Sequence, residues 1–294
     1  MAENTNSQSI VAIVIAVVIG TLVSLAGSDG GDRIGALPVF ALCGTLAFAI
    51  NWLAFIPAAL ARTEHFYDLT GGITYITVTA FAVAVASELD LRATLVAAMV
   101  MVWALRLSTF LFLRISKAGK DDRFDQIKQR PVRFLMAWTL QGLWVLLTAA
   151  AALAVITGGE REPLGAIGIA GIVVWAAGML IEIIADRQKS AFKADPVNAG
   201  KFINTGLWAW SRHPNYFGEI LLWTGMAIVA VPVLQGWQWA TLISPVFVAF
   251  LLIKVSGIPL LEAKADKLWG GNEDYAAYKR NTPVLMLKPP SSAD

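Results

Sequence analysis

Apolar residues in this chain run in long unbroken blocks, and polar residues are confined to short intervals between them. A helix that crosses a membrane needs roughly 20 apolar residues, with about 17 as the lower bound. Eight blocks meet this requirement: Ile10–Ala26, Ile34–Leu60, Gly71–Ser87, Leu91–Leu113, Val132–Ile156, Leu164–Ala185, Phe217–Leu234 and Trp239–Pro259. The pattern predicts an all-α, polytopic integral membrane bundle of seven to eight transmembrane helices, since helices satisfy their own backbone groups in lipid. The last two blocks are separated only by Gln235-Gly-Trp-Gln238, which reads as a tight reversal at a membrane surface. Pro57, Pro232, Pro245 and Pro259 mark expected kinks or helix ends, because proline removes a donor and clashes with the preceding turn. No Lys or Arg precedes the first block and Leu25-Ala-Gly-Ser28 is a weak cleavage signal, so the block reads as a retained first helix.

Composition agrees with this reading. Only 15% of residues are charged, where a soluble domain would carry about a quarter. The single cysteine, Cys43, lies inside an apolar block and reads as packing. The two histidines, His65 and His213, are too few and too far apart for a metal motif, so no metal is expected. Lys and Arg concentrate in 114–133, in 187–212 and in the tail beyond 264. With eight spans these segments, the loop 61–70 and both termini fall on one face, which the positive-inside rule makes cytoplasmic. Basic residues confined to the membrane surface argue against a nucleic-acid partner.

Four polar constellations interrupt the pattern. The densest runs from Glu182 and Asp186, four apart on one helix face, through Arg187, Lys193, Asn198, Lys201 and Asn204 to Ser211-Arg-His-Pro-Asn-Tyr-Phe-Gly-Glu219. Acids at the edge of a membrane helix are costly unless they meet a polar cavity or a partner. Asn215 and Tyr216 present an amide and a phenol at a helix start, where free backbone N–H groups favour anions. The string suits an anionic, hydrogen-bonding, aromatic ligand such as a nucleotide, against the blander reading of a capped, salt-bridged helix start. The second constellation is Arg62-Thr-Glu-His-Phe-Tyr-Asp-Leu-Thr-Gly71. Asp68 there has two open roles: N-capping the third span, or an acid kept protonated by low dielectric and able to donate to a carbonyl. Glu64 and Tyr67 are competing acids. The third is Trp103-Ala-Leu-Arg106 leading to Arg114, in which Arg106 requires a buried partner. The fourth is Glu262, Asp266, Tyr275, Tyr278, Lys279 and Arg280 in the tail, where a basic helix on anionic lipid would look similar. No Walker loop, strand-borne GxGxxG or Ser-His-Asp motif is present.

At these residues the chain resembles the steroid 5α-reductase family, as a bacterial member in an inner membrane. The resemblance rests on Asp68-Leu-x-Gly71, on Trp103-Ala-Leu-Arg106 through Arg114, on Asp186 to Glu219, and on Glu262 through Tyr275-x-x-Tyr278-Lys-Arg-x-Thr-Pro283. It implies a reductase that transfers hydride from NADPH to the double bond of a 3-oxo-Δ4 steroid or similar lipid enone. The family's catalytic acid falls on Asp68, preceded by Tyr67, and its second carbonyl donor falls on Trp103 unless Tyr67 or Tyr75 substitutes. Asp186, Asn215 and Glu219 match the family's cofactor positions. Arg114, Lys193, Asn204, Arg212, His213, Tyr216, Glu262, Tyr275, Tyr278 and Arg280 are the further cofactor contacts it implies. Residues 1–60 would be accessory helices, and 61–294 the reductase core with cytoplasmic cofactor loops, acting as a monomer among membrane lipids. Arg-His-Pro-x-Tyr is also similar to isoprenylcysteine carboxyl methyltransferases, which implies S-adenosylmethionine instead.

Overall fold

The computed structural model describes residues 2–118 and 124–290, with side chains over 6–112 and 124–290. Among them the chain forms helices α1 (Ala2–Gly27), α2 (Val39–Ala61), α3 (Tyr67–Val85), α4 (Leu91–Ala118), α5 (Pro131–Thr157) and α6 (Ala166–Ala194). A short α7 (Leu207–Trp210) is followed by α8 (Pro214–Ala230), α9 (Ile243–Phe250), α10 (Ile258–Trp269) and α11 (Glu273–Asn281). Among the described residues, eight helical segments are long and apolar enough to cross a membrane: Asn6–Gly27, Val39–Ala61, Tyr67–Val85, Leu91–Phe112, Pro131–Thr157, Ala166–Ala194, Pro214–Val233 and Gly236–Trp269.

The eight blocks are recovered, with three shifts. Residues 34–38 belong to a hairpin of β1 (Arg33–Ile34) and β2 (Leu37–Pro38), turned at Gly35 with φ +60°, and α2 starts only after Pro38. α6 continues past Ala185 to Ala194, carrying charged residues beyond the apolar block. The last span is broken: a 3-10 turn over Gly236–Leu242 leads into α9, a π turn follows over Leu251–Val255, and α10 begins after Gly257. Pro232 sits in the 3-10 turn Val231–Val233 and Pro259 in the first turn of α10, whereas Pro57 lies inside α2 and Pro245 inside α9.

The chain divides into two compact units. The first comprises Met1–Gly168 with Val229–Ser244. Its centre is α5, on which α1, α2, α3 and α4 all pack, and every α5 residue from Val145 to Thr157 is buried. A helix apolar on all sides can be enclosed in this way or face lipid, and α5 is enclosed. Arg92 is also buried at the start of α4, its guanidinium donating to the carbonyls of Val229 (2.7 Å) and Pro163 (2.9 Å). The reversal at 235–238 is fixed by Asp29, whose carboxylate accepts from Trp237 N (2.8 Å) and whose carbonyl accepts from Gln238 Nε2 (2.7 Å).

The second unit comprises Ile169–Ile228 and Pro245–Asp294. Within it α6 and α8 meet backbone to backbone. A Cβ at Gly218 would lie 2.7 Å from both Gly178 O and Glu182 N. Small residues are what allow membrane helices this approach. Gly218→Ala is therefore expected to lower stability by about 2 kcal/mol through forced separation of the two helices, read as a lower melting temperature in detergent. Gly271→Ala, whose added methyl meets nothing within 4 Å, should melt like the parent protein.

Candidate functional site

In the first unit one group of polar residues lies at the start of α3. The residue preceding the helix is Phe66, which makes no side-chain cap, and Asp68 lies in the first helical turn. Asp68 thus stands two residues beyond the cap position. Gly71, Gly72 and Tyr75 follow at three, four and seven residues, the spacing of one helix face. A Cβ at Gly71 would lie 2.8 Å from Gln141 Nε2, and one at Gly72 would overlap the Ser108 hydroxyl. α3 thus sits hard against α4 and α5, and Tyr75 meets Trp103 edge-on, with ring centroids 5.0 Å apart and both side chains buried.

The competing acids are otherwise engaged. Glu64 is buried and paired with Lys128 at 2.7 Å, and this hydrogen bond raises the Lys128 pKa above its ordinary value. The Tyr67 hydroxyl donates to the carbonyl of Ala137 (2.9 Å), and its ring packs against Phe124 and Trp138. Of the two tyrosines that could accompany Trp103, Tyr75 is the one in ring contact with it. Arg114 lies outside the residues whose side chains are described.

In the second unit, Glu182 and Asp186 are buried on α6, while Lys193 is exposed in its last turn. The turn α7 docks on α6: Trp208 Nε1 donates to Ala185 O (3.0 Å), Leu207 N donates to Gln188 Oε1 (2.9 Å), and Lys189 lies 4.2 Å over the Trp208 ring. Gly206 makes this possible with φ +60°, a conformation that favours glycine. Ser211 and Arg212 then capture the tail, Arg212 N donating to Pro283 O (2.9 Å) and the Ser211 hydroxyl to Leu285 O (2.9 Å).

Glu262 is the hub of the ionic network in this unit. Its carboxylate accepts from Arg212 Nη1 (2.5 Å) and contacts His213 Nε2 (2.8 Å), with Lys279 Nζ at 3.5 Å. Lys279 also pairs with Asp266 (2.6 Å), to which the Tyr275 hydroxyl donates (3.2 Å). Burial drives the His213 imidazole below its ordinary pKa, with the Glu262 bond opposing it, and burial pushes the Tyr275 phenol up to about 12. Tyr278, also raised by burial, donates to Trp208 O (2.7 Å). Tyr216 stacks on His213 at 5.7 Å, and Asn215 and Glu219, both half-buried, occupy the first turns of α8. His213 Nδ1 and Arg212 Nε are buried without a hydrogen-bond partner. Arg280 is exposed on α11 and Asn204 is exposed in the loop before α7.

Six of the expected cofactor residues fall into two sets. Arg212, His213, Glu262 and Tyr275 belong to one network of hydrogen bonds and ion pairs, Tyr275 joining through Asp266 and Lys279. Asn204 and Tyr278 instead line a cavity of about 740 Å³ between the 198–205 segment, α11 and Pro290. Lys201, Phe202, Asn281 and Thr282 also line it and were not among the expected contacts. The available signal was the pair of Asn-Thr dipeptides, 204–205 and 281–282. Among the described residues no three of His, Cys, Asp or Glu come together as a metal site would require.

Relatives of two kinds share part of this sequence. A probable O-methyltransferase, ustE, from Ustilaginoidea virens is 31% identical over 100 residues, covering 33% of this chain and 34% of that protein. A steroid 5-alpha-reductase, DET2, from Gossypium hirsutum is 30% identical over 101 residues, covering 34% of each. The chain thus matches about a third of the length of these curated relatives. No solved structure matches. The match that takes in both the α3 cluster and the Glu262 network extends over residues 54–282, and by it the chain belongs to the family described as protein of unknown function (DUF1295).

Proposed function

We propose that this protein is a membrane-embedded reductase that moves hydride from NADPH to the C=C bond of a 3-oxo-Δ4 steroid or similar lipid enone, giving the 5α-dihydro product. The observation that carries this reading is the face of α3 that bears Asp68 and Tyr75, set among glycines and against Trp103. It is supported by the 30% identity to a steroid 5-alpha-reductase.

NADPH, when bound, supplies the hydride. The orphaned Arg212 Nε and His213 Nδ1 fit a polar ligand that completes their hydrogen bonding. Asp186, Asn204, Arg212, His213, Asn215, Tyr216, Glu219, Tyr275, Tyr278 and Arg280 would hold the cofactor, with Glu262 holding Arg212 and His213 in place. Asp68 donates a hydrogen bond to the enone oxygen and stabilises the negative charge that develops there, and a proton taken up from solvent onto the α-carbon completes the reduction. Tyr75 is the second donor, because its phenol can give up a proton and the neighbouring indole N–H of Trp103 cannot. Trp103 closes the apolar wall around the substrate. We place the cofactor loops and both termini on the cytoplasmic side of a bacterial inner membrane.

The test is direct. Protein purified in detergent and given NADPH and progesterone should oxidise the cofactor and yield the 5α-dihydro steroid by mass spectrometry. A second reading, an O-methyltransferase, is favoured by the 31% identity to ustE and by Arg212-His213-Pro214-x-Tyr216. Thermal stabilisation by S-adenosylmethionine and none by NADPH would select it over the reductase.

A further inference from the structure

A proton must reach the α-carbon for enone reduction to finish, and the seam between α3 and α4 limits which side chain can carry it. Three contacts fix the register of these two helices. Tyr75 meets Trp103 with ring centroids 5.0 Å apart, Gly72 lies against the Ser108 hydroxyl, and the His65 ring meets the Phe112 ring at 6.2 Å. Falling numbers on α3 thus face rising numbers on α4, and Asp68 falls between the second contact and the third. A turn closed by Tyr67 N donating to Glu64 O (2.8 Å) leads from His65 into the helix. His65 and Asp68 are three apart along it, the spacing at which side chains of one helical turn lie close. Both are half-buried.

The other proton-bearing groups of the seam are committed. Glu64 pairs with Lys128 (2.7 Å), the Tyr67 hydroxyl donates to Ala137 O (2.9 Å), and the Ser108 hydroxyl donates to Ala104 O (2.6 Å). Arg106 lies over the Phe110 ring, and a guanidinium does not release its proton. Tyr75 lies deeper along α3 than Asp68 and is assigned to the enone oxygen. The His65 ring has edge contacts with Phe66 (5.0 Å) and Phe112, and among the described residues its nitrogens make no hydrogen bond or ion pair. Imidazole both takes up and gives up a proton near neutral pH.

We propose that His65 is the catalytic residue that protonates the α-carbon. The inference rests on the reductase reading, with reduced nicotinamide as the hydride donor. In an enone the α-carbon is two bonds from the carbonyl oxygen, so a group that holds the oxygen and a group that serves the carbon must be neighbours. As hydride adds to the β-carbon, the C=C electron pair shifts into an enolate whose oxygen Asp68 holds. The enolate then takes the N–H proton of the His65 imidazolium, forming the α-C–H bond and leaving neutral imidazole, which solvent reprotonates. One hydride and one proton are added in all.

The experiment uses the full-length protein in detergent. His65→Phe keeps a ring against Phe66 and Phe112 but carries no proton. It should melt and bind NADPH like the parent protein while kcat falls about 10²-fold. His65→Ala should be similarly slow and should recover turnover when imidazole is added, which loss of a merely structural ring would not permit. A third readout needs no cofactor: the parent protein, given the saturated ketone product in D2O, should place deuterium on the carbon that was α in the enone, and His65→Phe should not. Parental turnover in His65→Phe, no response of His65→Ala to imidazole, or α-deuteration absent from the parent or equal in His65→Phe would each overturn the assignment. NADPH-dependent turnover alongside any of those results would leave the reductase reading standing. His65-dependent α-deuteration in a protein that never oxidises NADPH would support the proton transfer and remove the reductase reading.

Discussion

Asp68→Ala is expected to lower kcat for enone reduction by about 10²–10⁴-fold, the usual contribution of a positioned acid, while NADPH binding stays intact. Asp68 lies in the first turn of α3 and is not among the residues assigned to the cofactor. Asp68→Asn retains a hydrogen-bond donor and should recover part of the lost rate, which a purely structural carboxylate would not do. Tyr75→Phe should also reduce kcat. Tyr67→Phe removes the bond to Ala137 O and should cost about 1 kcal/mol of stability with turnover retained. Single-turnover rates beside NADPH titrations would resolve the four variants. Equal loss of turnover and cofactor binding in Asp68→Ala would make Asp68 structural, and a silent Tyr75→Phe with an inactive Tyr67→Phe would transfer the second donor to Tyr67.

That contrast between two tyrosines shows where sequence reading reached its limit. Hydropathy located all eight spans, because lipid solvation imposes a length and composition that need no tertiary contact to be recognised. It overran into 34–38 because Ile34 and Leu37 are apolar, although the backbone there turns at Gly35 and pairs Arg33 with Pro38. It stopped α6 at Ala185 because charge replaces apolar residues there, while the backbone continues the helix to Ala194. Asp68 was legible as an acid at a span boundary, and the Arg212-His213-Pro214 string as an unusual polar run. The pairing of Tyr75 with Trp103, of Glu64 with Lys128 and of Asn204-Thr205 with Asn281-Thr282 across one cavity depends on which helices and loops approach one another. Nothing in local periodicity encodes those distances.

Glu262→Ala is expected to destabilise the second unit by about 3 kcal/mol, the low end for breaking a buried ion pair, since the Glu262 side chain keeps 20% exposure. It leaves Arg212, His213 and Lys279 without the carboxylate they share, so cofactor binding should weaken along with melting temperature. Glu262→Gln keeps an acceptor for Arg212 and His213 but no charge, and should fall between the two. The pH dependence identifies the residue responsible. His213 is held below its ordinary 6.5 chiefly by burial, opposed by Glu262, with Lys189 and Arg212 adding to the lowering. The folded chain thus binds this proton less readily than the unfolded one, so the stability it contributes is present above pH 6.5 and lost as pH falls toward the folded value. Without the Glu262 charge the folded value drops further, and the acid-side decline in melting temperature should continue to lower pH in Glu262→Gln than in the parent protein. Identical decline in both would mean that the His213–Glu262 contact carries no charge interaction, and would reduce Glu262 to a partner of Arg212 and Lys279 alone.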